Sequence, residues 1–143
     1  MRDAAQFFKV LADEARLKML WLLFNHRGLC VCDLMAALEI TQSKASRHLS
    51  TLRHAGLVSC RKDGLWSFYT LCPVEDELVR SHLELLRDNM AKRSDAPELL
   101  AKLHAWLQSK NRSAECATNV CATATRKRAT VGVERAQMAG GSR

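Results

Sequence analysis

Apolar residues recur with a helical period over most of the first hundred positions, interrupted once by an alternating stretch. Phe7, Phe8 and Leu11 give one apolar side to a short helix over Asp3 to Leu11. Ala12-Asp13-Glu14 then sets acidic residues where a second helix begins, as the helix macrodipole favours. The run Ala15 to Phe24 continues that helix and is apolar enough to be mostly buried. Asn25-His26-Arg27-Gly28 ends it, with Gly28 expected as a left-handed terminator. A third, short helix is expected over Cys32 to Leu38, followed by a turn at Glu39-Ile40-Thr41, with Thr41 capping the next helix. In that fourth helix Ala45, Leu49 and Leu52 stand at i, i+4 and i+7 and face the core. Gln42, Ser43, Lys44, Ser46, Arg47 and Ser50 point elsewhere, and Gly56 stops the helix.

The period then changes. Leu57 to Arg61 and Leu65 to Leu71 read as two strands, joined by a tight turn at Lys62-Asp63-Gly64. After Pro73 helical spacing returns at Val79, Leu83, Leu86 and Met90, and Pro97 is expected to open a last helix holding Leu99, Leu100, Leu103 and Trp106. This order describes a mainly α domain with a β-hairpin wing, a winged helix-turn-helix. Residues 1–109 are expected to form it and to carry both DNA binding and dimerisation. From Lys110 onward large apolar residues nearly vanish, so 110–143 is expected to be a basic, disordered tail bearing Cys116 and Cys121.

Charge and composition sharpen this picture only locally. The chain of 143 residues fits one domain with an appendage, and 48% hydrophobic residues suffice for a core. The net charge of +7 is unevenly placed: residues 1–109 carry 15 Lys/Arg against 13 Asp/Glu, and 110–143 carry 7 against 2. Any case for DNA binding therefore rests on where the basic residues stand, not on their total. The longest apolar run, Met19 to Phe24, is too short to span a membrane. The N-terminus lacks a charged-then-apolar signal pattern, so a cytoplasmic location is expected. In that reducing compartment the six cysteines read as ligands, sensors or packing rather than as structural disulfides.

Two of those cysteines occupy a telling place. Cys30-Val31-Cys32 lies just ahead of Thr41-Gln42-Ser43-Lys44-Ala45-Ser46-Arg47-His48-Leu49, which reads as the start of a DNA-recognition helix. Thiolates select soft ions. A pair of thiols beside a DNA reader suggests a transcription factor governed by a thiophilic metal or metalloid.

The stretches Phe8 to Leu17, Cys30-Val31-Cys32-Asp33-Leu34, Ser46-Arg47-His48-Leu49 and Arg61-Lys62-Asp63-Gly64-Leu65-Trp66 together resemble the ArsR/SmtB family of bacterial metal-responsive repressors. The resemblance spans most of residues 7 to 71. It implies a homodimeric repressor that binds an inverted repeat in double-stranded operator DNA without any cofactor. It further implies that trivalent arsenic or antimony is the inducer, since Cys-Val-Cys-Asp-Leu looks like the arsenite-sensing site of arsenic-resistance repressors. Some members carry a third cysteine directly after that leucine, where this chain has Met35. Trivalent arsenic and antimony take about three thiolates, so the third ligand is open: Cys116 or Cys121, Cys60 or Cys72, or a small thiol in solution. Cys116-x4-Cys121 resembles a cysteine pair near the C-terminus of some arsenic repressors, and a flexible tail closes such a loop at modest entropic cost. Cys60 and Cys72 themselves read as packing residues.

Residues two apart on a helix point roughly 200° apart around its axis. Cys30 and Cys32 cannot both face one ion while that segment stays regular helix, so binding is expected to strain the start of the third helix and through it the reader. A helix N-terminus is also expected to lower the thiol pKa. For DNA contact, Gln42, Ser43, Lys44, Ser46 and Arg47 stand at the start of the recognition helix, where Gln suits adenine and Arg guanine. His48 reads either as a phosphate contact or as a half-buried helix histidine. Arg61 and Lys62 on the wing suit phosphate or minor-groove contact. Phe7, Phe8 and Leu11 with Val79, Leu83 and Leu86 carry more apolar surface than a small winged core covers, which marks a dimer interface.

Other classes fit less well. Catalytic disulfide exchange uses Cys-x-x-Cys at a strand-to-helix junction, and the chain has Cys-x-Cys with no βαβ pattern, so no enzyme is expected. A redox-sensing repressor, oxidising Cys30 and Cys32, is chemically open. Zinc or cadmium sensing by the same fold is disfavoured for zinc, because the five histidines are scattered and no His-x-x-Glu or His-x-x-His follows His82.

Overall fold

The computed structural model describes residues 1–109. Six helices and a two-stranded hairpin follow one another as α1 (Arg2–Leu11), α2 (Glu14–Asn25), α3 (Val31–Leu38), α4 (Gln42–His54), β1 (Val58–Asp63), β2 (Trp66–Leu71), α5 (Glu77–Met90) and α6 (Ala96–Ser109). The expected winged helix-turn-helix is the observed fold. Expectations for 110–143, including Cys116 and Cys121, fall outside the described residues.

The helix starts follow capping chemistry. Asp13 caps α2 by accepting from the Arg16 N–H at 3.0 Å, Thr41 caps α4 by accepting from the Lys44 N–H at 3.3 Å, and Asp76 caps α5 from the Val79 N–H at 3.1 Å. The core is built around α2, whose Met19, Leu20 and Leu22 are fully buried. Leu34 of α3, Ala45, Leu49 and Leu52 of α4, and Leu103 of α6 close on it from three sides. α3 packs on both α4 and α6.

Two local expectations are corrected. The helix α2 ends because His26 turns extended (φ −136°, ψ 135°), not at Gly28. Gly28 instead takes φ +147° beside Phe68, 3.5 Å from where a Cβ would lie, and delivers Leu29 to the hairpin. There Leu29 and Tyr69 exchange backbone hydrogen bonds at 3.1 and 2.8 Å, a third rung alongside β1 and β2. The hairpin turn lies one residue later than expected. Lys62 and Asp63 remain in β1, pairing with Ser67 and Trp66, and the chain reverses at Gly64-Leu65, where Gly64 has φ +60°.

Candidate functional site

The thiol region is assembled where the Leu29 rung meets α3. Cys30 is the N-cap of α3, extended at φ −80° and ψ 167°, and its side chain is wholly buried. The Asp33 carboxylate accepts from the Cys30 backbone N–H at 2.9 Å, and the Cys30 sulfur faces the Asp33 N–H, giving the two halves of a capping box. Asp33 is itself fully buried, and its second oxygen accepts from the Trp106 indole N–H of α6 at 2.9 Å. Cys32 stands half-buried one turn-half further on.

This geometry corrects the expectations for the thiols. Burial pushes the Cys30 thiol up to about 11, with the Asp33 carboxylate pushing the same way, so the helix terminus does not yield a thiolate. Because Cys30 is a cap and not a helical residue, only Cys32 lies within the regular helix. Cys30 and Cys72 are free thiols, whereas Cys32 and Cys60 are each disulfide-bonded. For Cys60 this replaces a pure packing role. Both disulfide-bonded residues are half-buried, whereas Cys30 is fully buried.

The recognition helix presents Gln42, Ser43, Lys44 and Arg47 to solvent, with Ser46 half-buried. Arg61 and Lys62 are exposed on the wing. Lys44, Arg47, Arg61 and Lys62 form no ion pair among the described residues. His48 faces inward: its Nδ1 lies 3.7 Å from Asp13 and its side chain is 19% exposed. The half-buried alternative describes its position. Burial works against the Asp13 carboxylate, yet the Arg16 N–H, the Arg16 guanidinium and His48 together hold its pKa below the usual carboxylate value. Asp13 thus ties the start of α2 to the middle of α4.

A third feature is the outer face formed by α1 and α5. No residue of α5 is buried; Val79, Leu83, Leu86 and Met90 are half-covered, and Leu78 and Leu85 are exposed. Phe8 is 44% exposed, but Phe7 is already buried within the protomer, its ring edge-on to His82 at 6.3 Å. The apolar face therefore runs through Phe8, Leu78 and Leu85 more than through Phe7. Sequence reading missed Leu78 and Leu85 because they fall off the single stripe that the i, i+3, i+4 spacing picks out. It also missed the Asp33–Trp106 bond, which joins residues 73 apart.

Residues 13–59, from the α2 cap into the first wing strand, match the family model described as bacterial regulatory protein, arsR family. The arsenical resistance operon repressor of Bacillus subtilis is 44% identical over 71 residues, half of this chain and 68% of that protein. The chain belongs to the ArsR family. The arsenical resistance operon repressor of Escherichia coli is 53% identical to this ArsR-family chain over 68 residues, 48% of the chain and 58% of the relative. The match thus spans less than two thirds of that relative's own length. Among solved structures, reduced HlyU of Vibrio cholerae superposes with a TM-score of 0.52 at 38% identity, covering 61% of this chain and 87% of that one. Family membership accounts for the shared winged fold and for the stretch that holds Cys30, Cys32 and the recognition helix.

Proposed function

We propose that this ArsR-family protein is a dimeric transcriptional repressor that releases operator DNA when trivalent arsenic or antimony binds Cys30 and Cys32. The observation that carries the reading is positional. Cys30 caps α3 and Cys32 lies in its first turn, and α3 packs directly on α4, the helix that offers Gln42, Ser43, Lys44, Ser46 and Arg47 to DNA. The names of the arsenical resistance relatives point the same way.

The chemistry balances without a thiolate at Cys30. Arsenite is a neutral trihydroxide at neutral pH, and each arsenic–sulfur bond forms as a thiol replaces a hydroxide, the thiol proton leaving with it as water. Cys30 thus enters as the protonated thiol that its burial maintains. Cys32 must first be returned to the thiol by a cellular thiol reductant, since it is disulfide-bonded here. A third sulfur completes the set. Arg61 and Lys62 hold phosphate, while Phe8, Leu11, Val79, Leu83 and Leu86 pair with a second copy and set the two readers on an inverted repeat.

The test is fluorescence anisotropy of the fully reduced protein on DNA from upstream of its own gene, titrated with arsenite. The wild type should leave DNA at micromolar arsenite, and a Cys30→Ser/Cys32→Ser variant should stay bound. Equal behaviour of the two would remove the thiol pair from the switch.

One observation favours a second reading. The disulfide state of Cys32 fits a redox-sensing repressor of the same fold, in which oxidation rather than ion binding alters the start of α3. Hydrogen peroxide would then release DNA and arsenite would not.

A further inference from the structure

The helix α6 runs along α3 and is tied to it at both ends. At the start of α3 the Trp106 indole N–H donates to Asp33 at 2.9 Å, and at its end Lys102 donates to Glu39 at 3.0 Å. Leu103, between these ties, and Leu99, just before them, are buried against the core. A higher residue number on α6 therefore meets a lower number on α3, and the two helices lie antiparallel. Just beyond Trp106's partner, His104 of α6 packs edge-on to His26 at 5.2 Å between ring centres, closing the corner where α2 leaves for Cys30.

The two ties are not equivalent. Lys102 and Glu39 are largely exposed, whereas Asp33 is fully buried and serves two donors at once, the Trp106 indole and the Cys30 backbone. Trp106 thus acts through one carboxylate on the backbone of the thiol-bearing residue. The Cys30 side chain is sealed from solvent in this arrangement.

We propose that α6 is a strap on the thiol site and that Trp106 sets its threshold. By holding Asp33, Trp106 fixes the capped geometry of residues 30–33 in which the Cys30 sulfur is inaccessible, and capture of a thiophilic metalloid at Cys30 breaks the Trp106–Asp33 bond. Trp106 is a positioning residue: it touches no ion and no DNA base. This rests on the arsenite reading of the thiol pair and adds the element that restrains it.

The experiment uses the full-length reduced protein and arsenite as the probe, with three readouts: ultraviolet absorbance of the arsenic–sulfur bonds, the indole N–H signals by NMR, and release of operator DNA. Three tryptophans give three indole signals, and Trp66→Phe and Trp106→Phe assign them. In the wild type the Trp106 signal should shift as the absorbance grows. Trp106→Phe should saturate at about tenfold lower arsenite, the order expected when a hydrogen bond to a charged group is lost. Its DNA affinity without arsenite should stay within about twofold, and Lys102→Gln should leave the arsenite midpoint unchanged. An unmoved Trp106 signal at saturation overturns the inference even if Trp106→Phe does not fold, and so does an unchanged midpoint in a folded Trp106→Phe. Binding that moves the Trp106 signal but leaves DNA bound sinks the repressor reading and upholds the strap. If arsenite does not bind at all, the arsenite reading falls and the strap with it.

Discussion

α5 and α6 are both fourteen residues long and stand next to each other in the chain, yet they solve opposite problems. α6 buries Ala96, Leu99 and Leu103 and spends its polar groups on α3, through Trp106 and Lys102. α5 buries nothing completely and leaves Leu78 and Leu85 in solvent, with Phe8 of α1 beside them. A helix whose apolar stripe is satisfied within one protomer contributes to folding. One whose stripe is half-covered leaves apolar surface that a second surface could cover. The difference separates a helix satisfied within one protomer from one that is not, and five changes test how sharp the separation is.

The largest effect should come from Leu103→Ala. Its side chain is fully buried, and such a truncation costs about 2–5 kcal/mol, read as a drop in the denaturation midpoint. Leu85→Ala, the same change on α5, should cost less than about 0.5 kcal/mol in a dilute protomer. Comparable losses at both sites would erase the contrast.

Next is the pH dependence at the start of α3. The Cys30 pKa is about 11 when folded against 9.0 for an ordinary thiol. A raised folded pKa means that the stabilisation from the neutral thiol is complete below pH 9 and is lost as pH rises through 11, up to about 3 kcal/mol. Cys30→Ala should flatten the stability curve of the reduced protein across that window. A curve with the same slope in both proteins would mean that Cys30 is not sealed.

On the α5 side, Leu85→Lys should leave the fold intact and weaken self-association about tenfold or more, seen by sedimentation equilibrium at micromolar protein. An unchanged mass would show that the α1–α5 face is not where copies meet. The smallest effect is expected at Lys102→Gln, with no resolvable change in melting temperature. The Glu39 and Glu98 carboxylates raise the Lys102 pKa, but the group is fully exposed and solvent screens both pairs.

What could be read in advance follows the same division. The stripe Val79, Leu83, Leu86, Met90, the cap at Thr41 and the Asp63-Gly64 turn signal are local patterns, and the helices and the hairpin were legible from such patterns. The wing's turn slipped by one residue because Asp63-Gly64 and Gly64-Leu65 are both workable turn pairs, and the pairing of Asp63 with Trp66 decides between them. Gly28 was legible as a special backbone position but not as the approach to Leu29–Tyr69, which needs a partner forty residues away. The placement of Cys30 at the head of α3 was legible. Its burial was not, nor was the bond from Trp106 to the Asp33 that caps it, which joins residues 73 apart. A lone tryptophan near the end of a helix reads as one more apolar residue until its indole N–H is seen to have a buried acceptor.

The rung between Leu29 and Tyr69 makes the wing and the thiol neighbours in a mechanical sense. Leu29 is bonded on one side to Tyr69 by two reciprocal hydrogen bonds and joined on the other by a single peptide link to Cys30. Tyr69 in turn pairs with Cys60, so a lever one residue long connects the N-cap of α3 to β2 and, through it, to β1, which carries Arg61 and Lys62. A displacement at Cys30 therefore has a route to the wing that bypasses the recognition helix, and the amide protons of Leu29 and Tyr69 should gain or lose exchange protection together.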